Sequence, residues 1–307
     1  TSIIQNIGKV TNSGVEIELD YNAFKNKDWS VSVGANATFV KNKIKNLPAT
    51  MKENGYISGS KKWLEGKSIY EFWLRQWHGV DPQTGDGLYV ADVSKYNQGN
   101  IGTGDGNITQ SQFDEYKKTV VTIDGKELTN SYTYAKYDFS GSSIPDVFGG
   151  FNVRVSYKNF DLAAVFSYQL GGQVLDTNYA TMMSMTEFGY AQSPDLLKAW
   201  KQAGDITEVP RIDNSAAHTT NIGQSYSTRW LTSSDYLNLR SVTIGYQFPK
   251  AWLSKVMLKS ARLNLTAENL FMLKARQGLN PMANYSGVTY NEYMPSRNIT
   301  LGLNVSF

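Results

Sequence analysis

From Ile299 to Phe307 every second residue is apolar: Ile299, Leu301, Leu303, Val305 and Phe307 alternate with Thr300, Gly302, Asn304 and Ser306. A period of two belongs to an extended strand with one apolar and one polar face. It returns at Val15, Ile17, Leu19 and Tyr21 against Glu16, Glu18 and Asp20, and from Trp29 through Phe39. Val153, Val155 and Tyr157 repeat it, as do Ala261, Leu263, Leu265 and Ala267. Between Asp235 and Phe248 the apolar parity changes near Arg240 and Ser241, which predicts a bulge.

Nine stretches read as strands: about 10–22, 29–43, 68–80, 87–95, 148–157, 160–171, 234–248, 260–271 and 297–307. Their connections alternate between short (23–28, 81–86, 158–159, 249–259) and long (45–67, 96–147, 172–233, 273–296). Tight turns at one rim and long loops at the other are the asymmetry of a transmembrane β-barrel, which crosses with strands of about 9–11 residues. A soluble β-sandwich alternates as well, with its apolar face inward. Strand length, the segregation of links and aromatics near strand ends favour the membrane barrel, with Tyr21, Trp29, Phe39 and Phe248 as its girdle. Nine strands alone leave two open edges, which lipid does not tolerate, so further strands are expected from elsewhere and Thr1 reads as an interior position of a longer protein.

Composition narrows the function. A net charge of +3 gives no basic surface for nucleic acid. Two histidines and no cysteine exclude Cys-based zinc sites, thiol catalysis and disulfides. No apolar run approaches the ~20 residues of a membrane helix. There is no G-x-S-x-G and no P-loop, and Glu16, Glu18 and Asp20 form a row on one strand face rather than an acid–base pair. His78 and His218 lack a metal-binding context. No catalytic residue and no resident cofactor is assigned.

Several segments, in order along the chain, resemble the SusC/RagA family of TonB-dependent transporters. Asn6 to Leu19 is similar to its N-x-G-x-x-x-N-x-G-x-E strand, and Asp235 to Pro249 to its Y-L-R-L…G-Y-x-x-P strand, with Asn238 where the family has Arg. Leu263 to Phe271 resembles a penultimate strand ending in N-L-F, Tyr157 to Leu162 a family hairpin, and Arg297 to Phe307 an assembly signal with Phe307 read by the barrel-assembly machinery. The resemblance implies an all-β, antiparallel transmembrane β-barrel of about 22 strands. Residues 1–307 would be the C-terminal part of that single barrel domain, without its plug and first strands. It implies the outer membrane, import of an oligosaccharide (alternatively a peptide), a SusD-like surface lipoprotein, and energy from TonB–ExbB–ExbD through the missing N-terminal region. A non-transporting adhesin or binding module is the reading from another class.

Aromatic rings on the long links are the substrate-contact candidates, because sugar C–H faces pack on flat rings: Trp63, Trp73, Trp77, Tyr179, Tyr190, Trp230, Tyr236, Tyr285, Tyr290 and Tyr293. For each, packing inside its own loop is the plain alternative. Ser193, Pro194, Asp195 and Gly204 predict one short loop helix, presenting Trp200 to the lipoprotein or burying it. The segment from Ile101 to Gln112 has the glycine and isoleucine of a calcium loop at Gly106 and Ile108. It lacks the first Asp and the final Glu, which leaves Asp105 as a weak ligand candidate.

Overall fold

A computed structural model describes residues 8–185, 189, 191–223 and 226–307. Residues 1–7, with Asn6 of the first motif, and Tyr190 lie outside them. Among the described residues the long strands form one antiparallel sheet: β1 (Lys9–Lys25), β2 (Trp29–Asn46), β3 (Val147–Tyr157), β4 (Phe160–Leu170), β5 (Tyr236–Gln247), β6 (Ser260–Glu268) and β7 (Asn298–Ser306), paired in that order. A short strand, Met272–Lys274, continues β6 along β5.

The register carries the alternation across the whole sheet. Leu19 lies opposite Ala35, Ala35 opposite Phe151 and Phe151 opposite Phe166; Ile244 lies opposite Leu265 and Leu265 opposite Leu301. Glu16, Glu18 and Asp20 fall on the other face, opposite Thr38, Asn36 and Gly34. On the apolar face Leu19 is 62% and Leu301 69% exposed. A continuous apolar surface of this extent needs lipid or protein against it, not water.

Bulges and an interruption shape the wall. Arg240 is skipped between Leu239 and Ser241 in the pairing of β4 with β5, the bulge that the parity change predicts. Residues 269–271 interrupt β6 at the same height, with Asn269 at φ 51° donating its N–H to the Arg240 carbonyl. In β1 a second bulge between Asn22 and Phe24 carries the strand on to Lys25, so Phe24 takes the end position expected of Tyr21.

The strand count differs from the expectation. Stretches 68–80 and 87–95 do form strands, but in small separate sheets (Glu71–Arg75, Trp77–Val80, Gly87–Val90) outside the wall. Phe72 and Leu74 are 0% exposed, and Gly87, Leu88 and Tyr89 are buried in succession. Their apolar sides pack into protein instead of facing lipid: Phe72 and Leu74 are buried while Glu71, Trp73 and Arg75 are half-buried on the other face. Among the described residues the wall therefore has seven long strands, and the alternation of links survives: 26–28, 158–159 and 248–259 are short, whereas 47–146, 171–235 and 269–297 are long.

The three long links fuse into one cap. Its core joins Phe72 and Leu74 of the first link to Leu175, Leu196 and Trp230 of the second and Val288 of the third. Parallel bridges Arg75–Ser227 and Leu175–Val288 cross between links.

Candidate functional site

A cavity of about 350 Å³ in the cap is lined from all three links. Trp77 and His78 come from the first; Tyr179, Glu208, Arg229 and Trp230 from the second; Arg276 from the third. The Trp77 backbone N–H donates to Thr228 Oγ1 at 2.9 Å, which fixes the first link against the turn Thr228–Trp230. Asp176 caps the helix Thr177–Met182 through the Tyr179 N–H at 3.0 Å, and Tyr179 in turn donates its hydroxyl to Asp195 at 2.8 Å.

Two guanidinium groups set the electrostatics. Arg229 lies 4.7 Å from the Trp77 ring centroid and 4.3 Å from that of Trp230, and donates to the Ile222 carbonyl at 2.9 Å. No carboxylate pairs with it among the described residues. Burial lowers its pKa to about 10, with the tyrosines 89 and 179 opposing, so it is charged at neutral pH. Arg276 stacks 3.5 Å from the Tyr179 centroid and pairs with Asp176 at 3.3 Å. Arg229 thus offers the cavity an unpaired guanidinium for an anionic group, with Glu208 in the same lining opposing it.

Neither arginine was legible as a site residue from the sequence, because Trp77 beside Arg229 and Tyr179 beside Arg276 lie on other links. The rings themselves sort into three groups. Trp77, Tyr179 and Trp230 meet at the cavity, but guanidinium groups face them and Trp230 is 2% exposed, so Trp230 is a core residue and not an open platform. Trp63 packs on Tyr56, Trp73 between Tyr137 and Phe139, and Tyr236 stands on the polar face of β5. Tyr285, Tyr290 and Tyr293 are exposed, Tyr293 by 96%. Glu292 accepts from the Tyr290 N–H at 2.8 Å and from Asn284 at 2.9 Å, and Asn280 donates to the Tyr293 carbonyl, so this link is ordered beneath its rings.

The expected loop helix is one 3-10 turn, Pro194–Lys198, capped by Ser193. Trp200 follows it outside the turn, donating its indole N–H to the Pro82 carbonyl at 3.0 Å and packing over Gly85. At the calcium-like loop Ile101 bridges Ile108, and Gln112 is engaged in a capping box with Thr109 at the start of the helix Gln110–Thr119. The side chain in ligand position twelve thus caps a helix. At the short-link rim Trp29 packs on Tyr157 at 4.3 Å, and Tyr246 on Phe160 and Phe248 at 4.5 and 5.1 Å. Phe39 stands at the other end of the apolar run of β2. Phe307, just beyond β7, is 86% exposed.

No protein-family model matches the chain. It is 27% identical to TonB-dependent receptor P3 of Formosa agariphila over 325 residues, all of this chain and 30% of that protein. TonB-dependent receptor SusC of Bacteroides thetaiotaomicron is 24% identical across 99% of this chain and 27% of its own length. The structure of the RagAB peptide transporter superposes with a TM-score of 0.75 at 23% identity, over 99% of this chain and 30% of that one. The chain has the fold of a partial TonB-dependent-receptor barrel, and over its whole length it is similar to receptors of the SusC and RagA type. It spans about 30% of the length of the curated relatives it matches. Its seven wall strands accordingly belong to the outer membrane, apolar face to lipid and polar face to the lumen. The long-link cap stands at the extracellular rim and the short links at the periplasmic one.

Proposed function

We propose that the receptor of which this chain forms part imports an oligosaccharide across the outer membrane. The plug and the contact with TonB–ExbB–ExbD lie in other parts of that receptor. The ordered, exposed tyrosines 285, 290 and 293 on the third link carry the sugar reading, because they stand exposed on a hydrogen-bonded loop, Tyr285 in edge contact with Tyr70. A SusD-like lipoprotein closes over the cap. Leu197, Ile206 and Ile212, exposed by 79, 98 and 66%, supply an apolar surface for it, in place of the inward-tied Trp200.

Arg229 favours a second reading. An uncompensated guanidinium between two indoles suits a carboxylate, as found on an acidic sugar or at a peptide C-terminus.

The test is calorimetric binding of the intact receptor–lipoprotein pair to neutral glycans, uronate-bearing glycans, and peptides with free or amidated C-termini. Glycan binding that falls on alanine substitution of Tyr290 and Tyr293 supports the first reading. Binding confined to free-carboxylate peptides, and lost in Arg229→Gln, replaces it with the second. Uptake that persists without TonB would remove active import.

A further inference from the structure

The outward face of β2 changes character at one residue. Trp29, Val31, Val33, Ala35, Ala37 and Phe39 share the lipid-side parity, and the same parity continues without a shift through Lys41 and Lys43, opposite Ser13 and Thr11. Lys45 follows at the bulge between Ile44 and Asn46, where the register shifts. Inward parity is held independently by Ile44, which is 2% exposed. All three lysines are exposed and none joins an ion pair among the described residues. The nearby acid, Glu65, is engaged with the Leu47 N–H at 2.8 Å and with Lys52.

Height decides what this row meets. The ten steps from Trp29 to Phe39 rise ~34 Å along a strand, or about 24 Å along the bilayer normal at a tilt near 45°, which matches the ~25 Å apolar band of an outer-membrane barrel. Lys41 is therefore the first outward residue above the band, on the side of the long extracellular links. Alternate lysines are about 7 Å apart, so the row climbs roughly 10 Å, about the depth of a headgroup layer. Thr11 and Ser13 add hydroxyl groups beside it.

We propose that Lys41, Lys43 and Lys45 form a binding ladder for the phosphate groups of outer-leaflet lipid. Charge complementarity and continuity with the lipid-facing band below identify the occupant: a phosphorylated lipid whose acyl chains lie against Phe39, Ala37 and Ala35. The ladder anchors the extracellular rim of the barrel in its own leaflet. The inference rests on the outer-membrane placement of the wall and is independent of which nutrient is carried.

The experiment is native mass spectrometry of the intact receptor in detergent, titrated with monophosphoryl lipid A or with the same lipid stripped of phosphate. Surface lysines near anionic headgroups act roughly additively, so the phosphorylated lipid should bind on the order of a hundredfold more tightly. K41Q/K43Q/K45Q should abolish the preference, and K41R/K43R/K45R should keep it. Heat-modifiable gel migration verifies folding; if the triple variant fails to fold, K43Q alone should lose several-fold. Equal binding of both lipids by the unaltered receptor, or an intact preference in the Gln variants, overturns the proposal. Competition by millimolar inorganic phosphate would assign the ladder to soluble anions and likewise overturn it.

Discussion

Asp161 and Arg262 meet at 2.7 Å across Gly245, two strands apart on the lumen face of the wall. Gly245 lies between them in the sheet, and a Cβ there would run into both the guanidinium and the carboxylate. Gly34 sits in the same way between Asp20 and Asn152. Missing side chains thus let polar groups reach over a neighbouring strand.

Gly245→Ala should part the Asp161–Arg262 pair at little cost, because both partners are about a third exposed and such pairs contribute about 1 kcal/mol or less. Gly245→Val adds overpacking and should cost about 1–3 kcal/mol. The temperature at which the intact receptor loses its folded gel migration measures the order: unaltered, then Ala, then Val.

Lys61 predicts a pH dependence in the cap. It is 9% exposed, lies 3.1 Å from the Phe72 ring centroid and donates to the Tyr70 carbonyl at 2.8 Å. Burial lowers its pKa to about 7 against partial opposition from Glu71. The unfolded chain, with the ordinary lysine value near 10.5, then binds the extra proton between pH 7 and 10.5, so local stability rises with pH across that window. The change is on the order of a few kcal/mol. Hydrogen exchange of residues 56–75, corrected for intrinsic rates, should slow from pH 7 to 9 and lose that dependence in Lys61→Met.

Trp230 joins the links. Trp230→Ala should cost about 3–5 kcal/mol of cap stability, since it removes a fully buried ring from a core fed by all three. Limited proteolysis should nick links 47–146, 171–235 and 269–297 together and leave the wall strands intact.

Gln112 is expected to matter as a cap. Gln112→Ala should cost about 0.5–2 kcal/mol of local stability and speed exchange of the first-turn amides of Gln110–Thr119. Asp105→Ala should leave both exchange and calcium response unchanged.

The wall was legible because lipid and lumen impose opposite polarity on successive residues, so faces, short turns and even the Arg240 bulge appear as parity. The cap was not, because protein surrounds it on both sides. Phe72 and Leu74 alternate with Glu71, Trp73 and Arg75, so their period imitates a wall strand although its apolar side meets the cap core. The cavity was hidden for a different reason: Trp77 and Thr228 are 151 residues apart and meet only once the links have packed. The helix expected from Ser193 to Ala203 had its capping residues read correctly, but only the turn Pro194–Lys198 forms; Leu196 enters the cap core while Leu197 stays exposed.

The most direct test of the account uses the absence of cysteine from this chain. Single cysteines at positions 29–45 and 71–90 of the intact receptor, in outer membranes, are challenged with a water-soluble maleimide and a lipid-soluble nitroxide quencher. Odd positions from 29 to 39 should be lipid-exposed, even ones water-facing, and lipid exposure should end at 41; positions 71–90 should show no lipid exposure. Alternating lipid exposure within 71–90, or none within 29–39, would contradict a seven-stranded membrane wall beneath a fused extracellular cap.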